Sequence, residues 1–223
     1  MPSAVVRVCD KKFLRHQSVL DRLGLTVDII EQSVNHVHSV LDSIDEKLME
    51  GGGERLSELV ELANLSAIIG NLYRGAVVRV ADGRFSANAP HTYPDLLAKK
   101  PGCVDIEIKV ALETNKPKGH LVKPGPHLII RYVLCDLDGR FTRGKTSRGK
   151  VPWIWEVRVG ELINDHFRVS NTDGDSGKTA VVTSAGMAAL EVVYQDLERC
   201  PVVSLTRPVR QKVARTRKMS KLS

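Results

Sequence analysis

The chain has 223 residues, 42% of them hydrophobic, which suits one domain with a sizeable core or one domain with an appendage. Its net charge of +7 is concentrated: residues 99–150 carry 12 Lys/Arg against 5 Asp/Glu and residues 207–223 carry 7 against none, while the rest of the chain is net acidic. Cys9, Cys103, Cys135 and Cys200 form no CxxC pair and have no histidines at zinc-finger spacing, which excludes the common zinc modules and implies reduced thiols in a cytoplasmic protein. The opening MPSAVVRVCDKKF lacks a signal-peptide apolar region, and no apolar run reaches membrane-spanning length, so no membrane partner is expected.

Residues 1–26 are poorly patterned, with a helix expected near Phe13 to Leu23. From Val27 the steps of three and four through Ile30, Val34, Val37, Leu41, Ile44 and Leu48 predict an amphipathic helix with a heptad-like stripe. Asp28, Glu31, Asp42, Asp45 and Glu46 lie mostly off that stripe and are expected to face solvent or a partner, and His36 and His38 are read as surface histidines. Gly51-Gly52-Gly53 ends this helix, and Leu56, Leu59, Val60, Ala63, Ile68 and Leu72 predict a second one from Glu54 to about Tyr73. The pair forms an intramolecular helical hairpin, or the first helix pairs across a dimer interface; the hairpin is the plainer expectation. The β-branched residues and Asp82-Gly83 turn signal between Ala76 and Phe85 predict a strand or hairpin there.

The stretch Tyr93 to Lys109, YPDLLAKKPGCVDIEIK, carries the chemistry. In a strand, Asp105, Glu107 and Lys109 share one face while Val104, Ile106, Ile108 and Val110 share the other, so an apolar core can bury one face and leave two carboxylates and an ammonium on the other. With Asp95 on a nearby segment, that face offers oxygen ligands to a hard divalent cation beside a positive charge. The arrangement Pro94-Asp95 followed by Glu107-Ile108-Lys109 resembles the PD-(D/E)xK nuclease superfamily, and the run from about residue 90 to 180 resembles its type II restriction endonuclease branch. The resemblance implies that Asp95 and Glu107 hold a magnesium ion, for which manganese can substitute, with the Ile108 carbonyl as a further ligand. It also implies that Lys109 assists the attacking water, and that Glu58 or Glu61 on the preceding helix is a candidate to join the site, with Glu61 taken into the catalytic set.

The stretch ALETNKPKGHLVKPGPH brings Lys116, Lys118, His120 and Lys123 directly after this strand, ahead of the strand HLIIRYVLCD. The next loop interleaves Arg140, Arg143, Lys145, Arg148 and Lys150 with Gly, Thr and Ser. These residues are the expected DNA contacts, to phosphate or to base edges. VPWIWEVRVGEL predicts a strand with Val151, Trp153, Trp155, Val157 and Val159 on one face and Ile154, Glu156 and Arg158 on the other. NTDGDSGKT is neither a P-loop, since Thr172 stands where its first Gly is needed, nor a chymotrypsin-type nucleophile segment, since Lys178-Thr179 follows; it is read as a polar turn. Ser184 is the expected N-cap of a helix to about Leu197, and the tail after Pro201 is basic and expected to be flexible.

The expectation is therefore an α/β fold, a central mixed sheet flanked by helices, with a helical region over 1–80, a nuclease core over 81–200 and a tail over 201–223. The expected function is a magnesium-dependent, site-specific endonuclease of double-stranded DNA acting as a homodimer without an organic cofactor, most readily a type II restriction enzyme. A structure-specific repair or junction nuclease, and an inactive DNA-binding module, are the alternatives.

Overall fold

The computed structural model describes residues 7–15, 17–144, 146, 148–170 and 179–202. A 3₁₀ turn at Lys11–Phe13 and a short helix α1 (Ser18–Leu23) take the place of the single helix expected there. Helix α2 (Val27–Glu50) starts where Thr26 accepts the Ile29 N–H at 3.2 Å, a side-chain cap for one of the orphan donors of the first turn. Helices α3 (Leu56–Leu59) and α4 (Leu62–Val80) follow, then strands β1 (Phe85–Ala87), β2 (Leu96–Ala98), β3 (Glu107–Leu112), β4 (Lys118–Gly119), β5 (Gly125–Cys135) and β6 (Val151–Leu162). The remaining elements are β7 (Phe167–Ser170), β8 (Thr179–Val182), α5 (Ser184–Ala189) and β9 (Glu191–Gln195).

The main sheet has the order β3-β5-β6-β9, with β3 parallel to β5 and the other pairs antiparallel, so the expected mixed α/β architecture is present. Helices α2 and α4 pack on each other as a hairpin and on one face of this sheet. Ile30, Val34, Val37, Leu65, Ile69 and Tyr73 from the helices meet Leu128, Ile130 and Val157 in one core, each of these side chains fully buried. At roughly 1.5–3 kcal/mol per buried aliphatic side chain, this contact dominates the stability of the helical region and welds it to the sheet. The other face carries a small sheet, β4-β8-β7, over a second cluster of Ile129, Leu162, Val182, Met187 and Leu190. A third cluster, Val133, Cys135, Val151, Trp153 and Trp155, fills the far end of that face.

Several local expectations are corrected. Ala76 to Val80 is helix rather than strand, because Leu65, Ile69, Tyr73, Ala76 and Val77 are all buried at helical spacing and tertiary burial outweighs β-branched propensity. The chain then turns through Asp82 (φ 48) and Gly83 (φ 67), both left-handed. The helix expected to reach Leu197 ends at Ala189, is capped by Thr183, and gives way to β9, whose strand formers Val192 and Tyr194 pair with β6. In β6 the alternation slips: Arg131 lies opposite Glu156 and Tyr132 opposite Ile154, so Trp155 is an extra residue. That bulge sends Val157 and Val159 to the helix face with Ile154 and leaves the tryptophans on the other.

Two side chains of α2 expected on its outer side, His38 and Asp45, are also buried. His38 is fully buried, and its Nε2 accepts the Ile154 N–H at 3.0 Å; burial pushes its pKa well down, so the ring is neutral. Asp45 is 3% exposed and accepts the Leu56 N–H and an Arg55 Nη1–H, each at 2.9 Å, tying α2 to α3. Conversely, Ile44 and Leu48 at the end of the stripe are only half-buried. All four cysteines are unpaired. Among the described residues no helix is long and apolar enough to cross a membrane. The polar turn at 171–178 and the tail beyond 202 lie outside the described residues.

Candidate active site at the β2–β3 edge

Leu96 and Ile106 exchange both backbone hydrogen bonds, at 2.9 and 3.0 Å, and so clip β2 antiparallel to the start of β3. The connection turns at Lys100-Pro101-Gly102, with Gly102 at φ 82, a position that favours glycine. Asp95 immediately precedes β2, and its Oδ2 accepts the Ile108 N–H at 2.8 Å. A strand residue directs its N–H and carbonyl to the same edge. Ile106 directs both groups to Leu96, so Ile108, two residues on, presents its carbonyl on the edge that Asp95 occupies.

Ile106 and Ile108 enter the helix-side core, which places Glu107 and Lys109 on the opposite face, as their spacing predicts. Glu107 is 1% exposed; its Oε1 accepts the Lys109 ammonium and the Lys123 Nζ, the latter at 2.9 Å. Its Oε2 is buried with no partner. Burial by itself raises the Glu107 carboxyl, but Lys109 and then Lys123 overcome it and hold the group below the usual range. Asp95 goes the other way: burial raises it, the Glu107 charge adds to this, and the Ile108 N–H and Lys109 only partly oppose it. Two neighbouring carboxylates pushed apart in this way are an arrangement that recurs at functional sites.

Asp105 was expected on the same face; it is exposed and accepts the Ala98 N–H at 2.8 Å, closing the β2–β3 connection. The crossover from β3 to β5, residues 113–124, runs without a helix and lays β4 across Lys109: a Cβ added at Gly119 would stand 3.5 Å from Lys109 Cε. Lys116, Lys118 and His120 are exposed on this crossover. Lys123 turns inward to Glu107, with its ammonium 5.1 Å from the centroid of the Tyr93 ring. The Tyr93 hydroxyl donates to the Pro124 carbonyl at 2.5 Å.

The structure divides the remaining candidates from this group. Glu107 is in register with His127 at the start of β5, whereas the loop of Arg140, Arg143, Arg148 and Lys150 follows Cys135, eight residues along that strand and about 26 Å away at 3.3 Å per residue. There Arg148 donates to Glu113 Oε1 at 2.9 and 3.1 Å, and Lys150 pairs with Glu58. Arg140 and Arg143 are exposed, and Lys145 lies outside the described residues. Glu61 is exposed at the start of α4, whose Leu62 carbonyl accepts the Tyr132 hydroxyl at 3.3 Å. Tyr132 is in register with Leu112, so Glu61 and Glu58 belong to the far end of β3, and neither is brought to Asp95 and Glu107.

Two residues of the site went unread in the sequence. His127 is fully buried beside Glu107; its Nδ1 is 2.8 Å from the Gly125 carbonyl, which makes Nδ1 the protonated nitrogen, and its Nε2 has no partner. Burial, and then the two lysine charges, hold its pKa down. Tyr93, the residue directly before the signature, seats Lys123. A lone polar residue at the head of the apolar run HLII was the available signal for His127; for Tyr93 there was none, since its contact depends on the crossover folding back.

Among the described residues no group of three or more His, Cys, Asp or Glu side chains is disposed to hold a metal ion. Asp95, Glu107 and the Ile108 carbonyl instead form a small, all-oxygen donor set, of the kind that leaves the remaining positions of a hard cation to water and substrate oxygens. No protein-family model matches this sequence, and comparison with curated proteins finds no significant match.

Proposed function

We propose that this protein is a magnesium-dependent endonuclease of double-stranded DNA, of the PD-(D/E)xK type and most similar in kind to type II restriction enzymes. The observation that carries the reading is the convergence of Asp95 and Glu107 across the β2–β3 edge, with Lys109 on Glu107 and the Ile108 carbonyl turned to that edge. The buried, unpartnered Glu107 Oε2 and the raised Asp95 carboxyl fit a divalent cation, because both are features that a cation would relieve. Bound there by Asp95, Glu107 and the Ile108 carbonyl, the metal supplies Lewis-acid stabilisation of phosphoryl oxygens and a more acidic water.

The side chains have separable tasks. Asp95, fixed by the Ile108 N–H, and Glu107, fixed by Lys109 of its own strand, hold a pair of oxygen donors. Lys109, 13% exposed, keeps a positive charge where the phosphate gains negative charge during in-line attack, and it orients the attacking water. The crossover lysines Lys116 and Lys118 offer their charges to the DNA backbone over the site. The far-end basic loop, about 26 Å along β5, reaches a separate stretch of duplex rather than the scissile phosphate. Cleavage leaves 5′-phosphate and 3′-hydroxyl ends, and a homodimer presents two such sites to a palindrome.

The test is digestion of unmethylated plasmid and phage DNA by the purified protein, with magnesium or with chelator, beside Asp95→Ala and Lys109→Ala. Discrete, magnesium-dependent fragments lost in both variants are the expected result. Tight DNA binding without cleavage of intact, branched or methylated duplex would replace this reading with a binding module.

A further inference from the structure

Glu107 Oε1 carries two ammonium groups, although the signature assigns it one. Lys109 comes from the same strand. Lys123 comes from the end of the crossover, at 2.9 Å, and its seat is built: the ammonium lies over the Tyr93 ring at 5.1 Å, and the Tyr93 hydroxyl holds the adjoining Pro124 carbonyl at 2.5 Å. Gly125, which follows, has φ +123, and a Cβ there would stand 3.1 Å from that hydroxyl, so the close approach of the Tyr93 segment to the crossover favours glycine. One face of the Lys123 ammonium thus meets the carboxylate expected to bind metal, while 28% of its side chain remains exposed.

Two ammoniums on one carboxylate offset the negative charge of the site without a divalent cation. Loading such a site requires that positive charge leave it, since like charges packed around one oxygen repel. Lys109 is the more enclosed of the two, at 13% against 28% exposure, and β4 crosses over it. Lys123 is the one with room to leave, on a flexible stem that reaches toward the phosphates arriving over the crossover.

We propose that Lys123 is an exchangeable stand-in cation: it occupies Glu107 in the metal-free protein and, when the site is loaded, transfers its ammonium to a non-bridging oxygen of the scissile phosphate. This deepens the nuclease reading and rests on it. Lys123 then couples two events, because the charge that departs from Glu107 becomes a phosphate contact made only in the loaded complex. Removing it has opposite effects on the two ligands: divalent cation binds more tightly to the free protein, and DNA is held and cleaved less well.

The experiment measures manganese affinity of the DNA-free protein by calorimetry and by the electron paramagnetic resonance signal of unbound manganese. The variants are Lys123→Met, Tyr93→Leu, and Lys12→Met as a control that removes one remote charge. Loss of a partly exposed ion pair predicts manganese binding tighter by about fivefold to tenfold in Lys123→Met. Tyr93→Leu, which only loosens the seat, shifts it the same way by less, and Lys12→Met leaves it unchanged. Lys123→Met also binds duplex more weakly in calcium and cleaves about 100-fold more slowly in single turnover, the loss expected for one phosphate-stabilising donor. Manganese affinity in Lys123→Met and Tyr93→Leu equal to or weaker than that of the wild type would overturn the exchange while leaving the nuclease reading intact. A wild type that neither binds manganese nor cuts DNA overturns both.

Discussion

Asp95→Asn and Glu107→Gln each remove one carboxylate charge while preserving shape, yet in the absence of divalent metal they should move stability in opposite directions. Gln at 107 leaves Lys109 and Lys123, 13% and 28% exposed, without the carboxylate they share. Breaking a buried pair by removing one partner costs about 3–5 kcal/mol, and the partial exposure of both ammoniums brings this to about 2–3 kcal/mol. For a chain of this size that lowers the melting temperature by about 4–12 °C. Asn at 95 still accepts the Ile108 N–H but no longer repels Glu107, and a gain of about 1 kcal/mol, or about 2–4 °C, follows.

The signs carry over to pH. Glu107, held below its ordinary range, contributes stability above about pH 4.3 that is lost as pH falls through the folded value. Asp95, held above its ordinary range, contributes in full below about pH 3.9 and loses that contribution as pH rises through the folded value. The advantage of Asp95→Asn should therefore be greatest at neutral pH and vanish on acidification, whereas the deficit of Glu107→Gln persists to lower pH. Thermal melts by circular dichroism in chelator from pH 4 to 8 read both. An Asp95→Asn protein that melts below the wild type at pH 7, or a Glu107→Gln protein that melts with it, would refute the assignment of charge strain to this pair.

Three further outcomes follow from the fold. Glu61→Gln should leave the cleavage rate within about twofold of wild type, since Glu61 is about 17 Å along β3 from Glu107 by the Leu112–Tyr132 register; a loss of 100-fold in a gel assay would return it to the site. His38, neutral and buried, contributes stability that is present above about pH 6.5 and declines as the pH falls below it and the unfolded chain takes up a proton. His38→Gln, which can still accept the Ile154 N–H, should flatten the stability profile between pH 5 and 7 in urea titrations. Asp45→Ala strips the Leu56 N–H of its acceptor and Arg55 of its partner, for an expected loss of about 2–4 kcal/mol in the same titrations.

The local pattern in the sequence was sufficient for elements whose side chains alternate or step in a period. The face assignment of Ile106, Glu107, Ile108 and Lys109, the strand at Gly125–Cys135 and the start of α2 all follow from spacing that a single strand or helix must obey. Errors came where burial reversed a local preference. Val77, Val78 and Val80 are strand formers that a shared core keeps helical, Val192 and Val193 pass from an expected helix to an edge strand, and one bulged tryptophan shifts the faces of β6. His38 and Asp45 occupy positions of α2 that are solvent-facing by pattern; only the arrival of β6 and α3 supplies the N–H groups that justify burying them.

For the site, sequence alone determined the residue types and the face: a carboxylate, an ammonium and an apolar anchor alternate along one strand because the strand period is two. Only the tertiary structure decided which distant residues join them. The parallel pairing of β3 with β5 places His127 beside Glu107, the returning crossover delivers Lys123 over Tyr93, and the strand register sends Glu58, Glu61 and the second basic loop to the opposite end of the sheet. The physical reason is that periodicity is a property of one segment, whereas register and crossover path are set by the mutual burial of segments far apart in the chain.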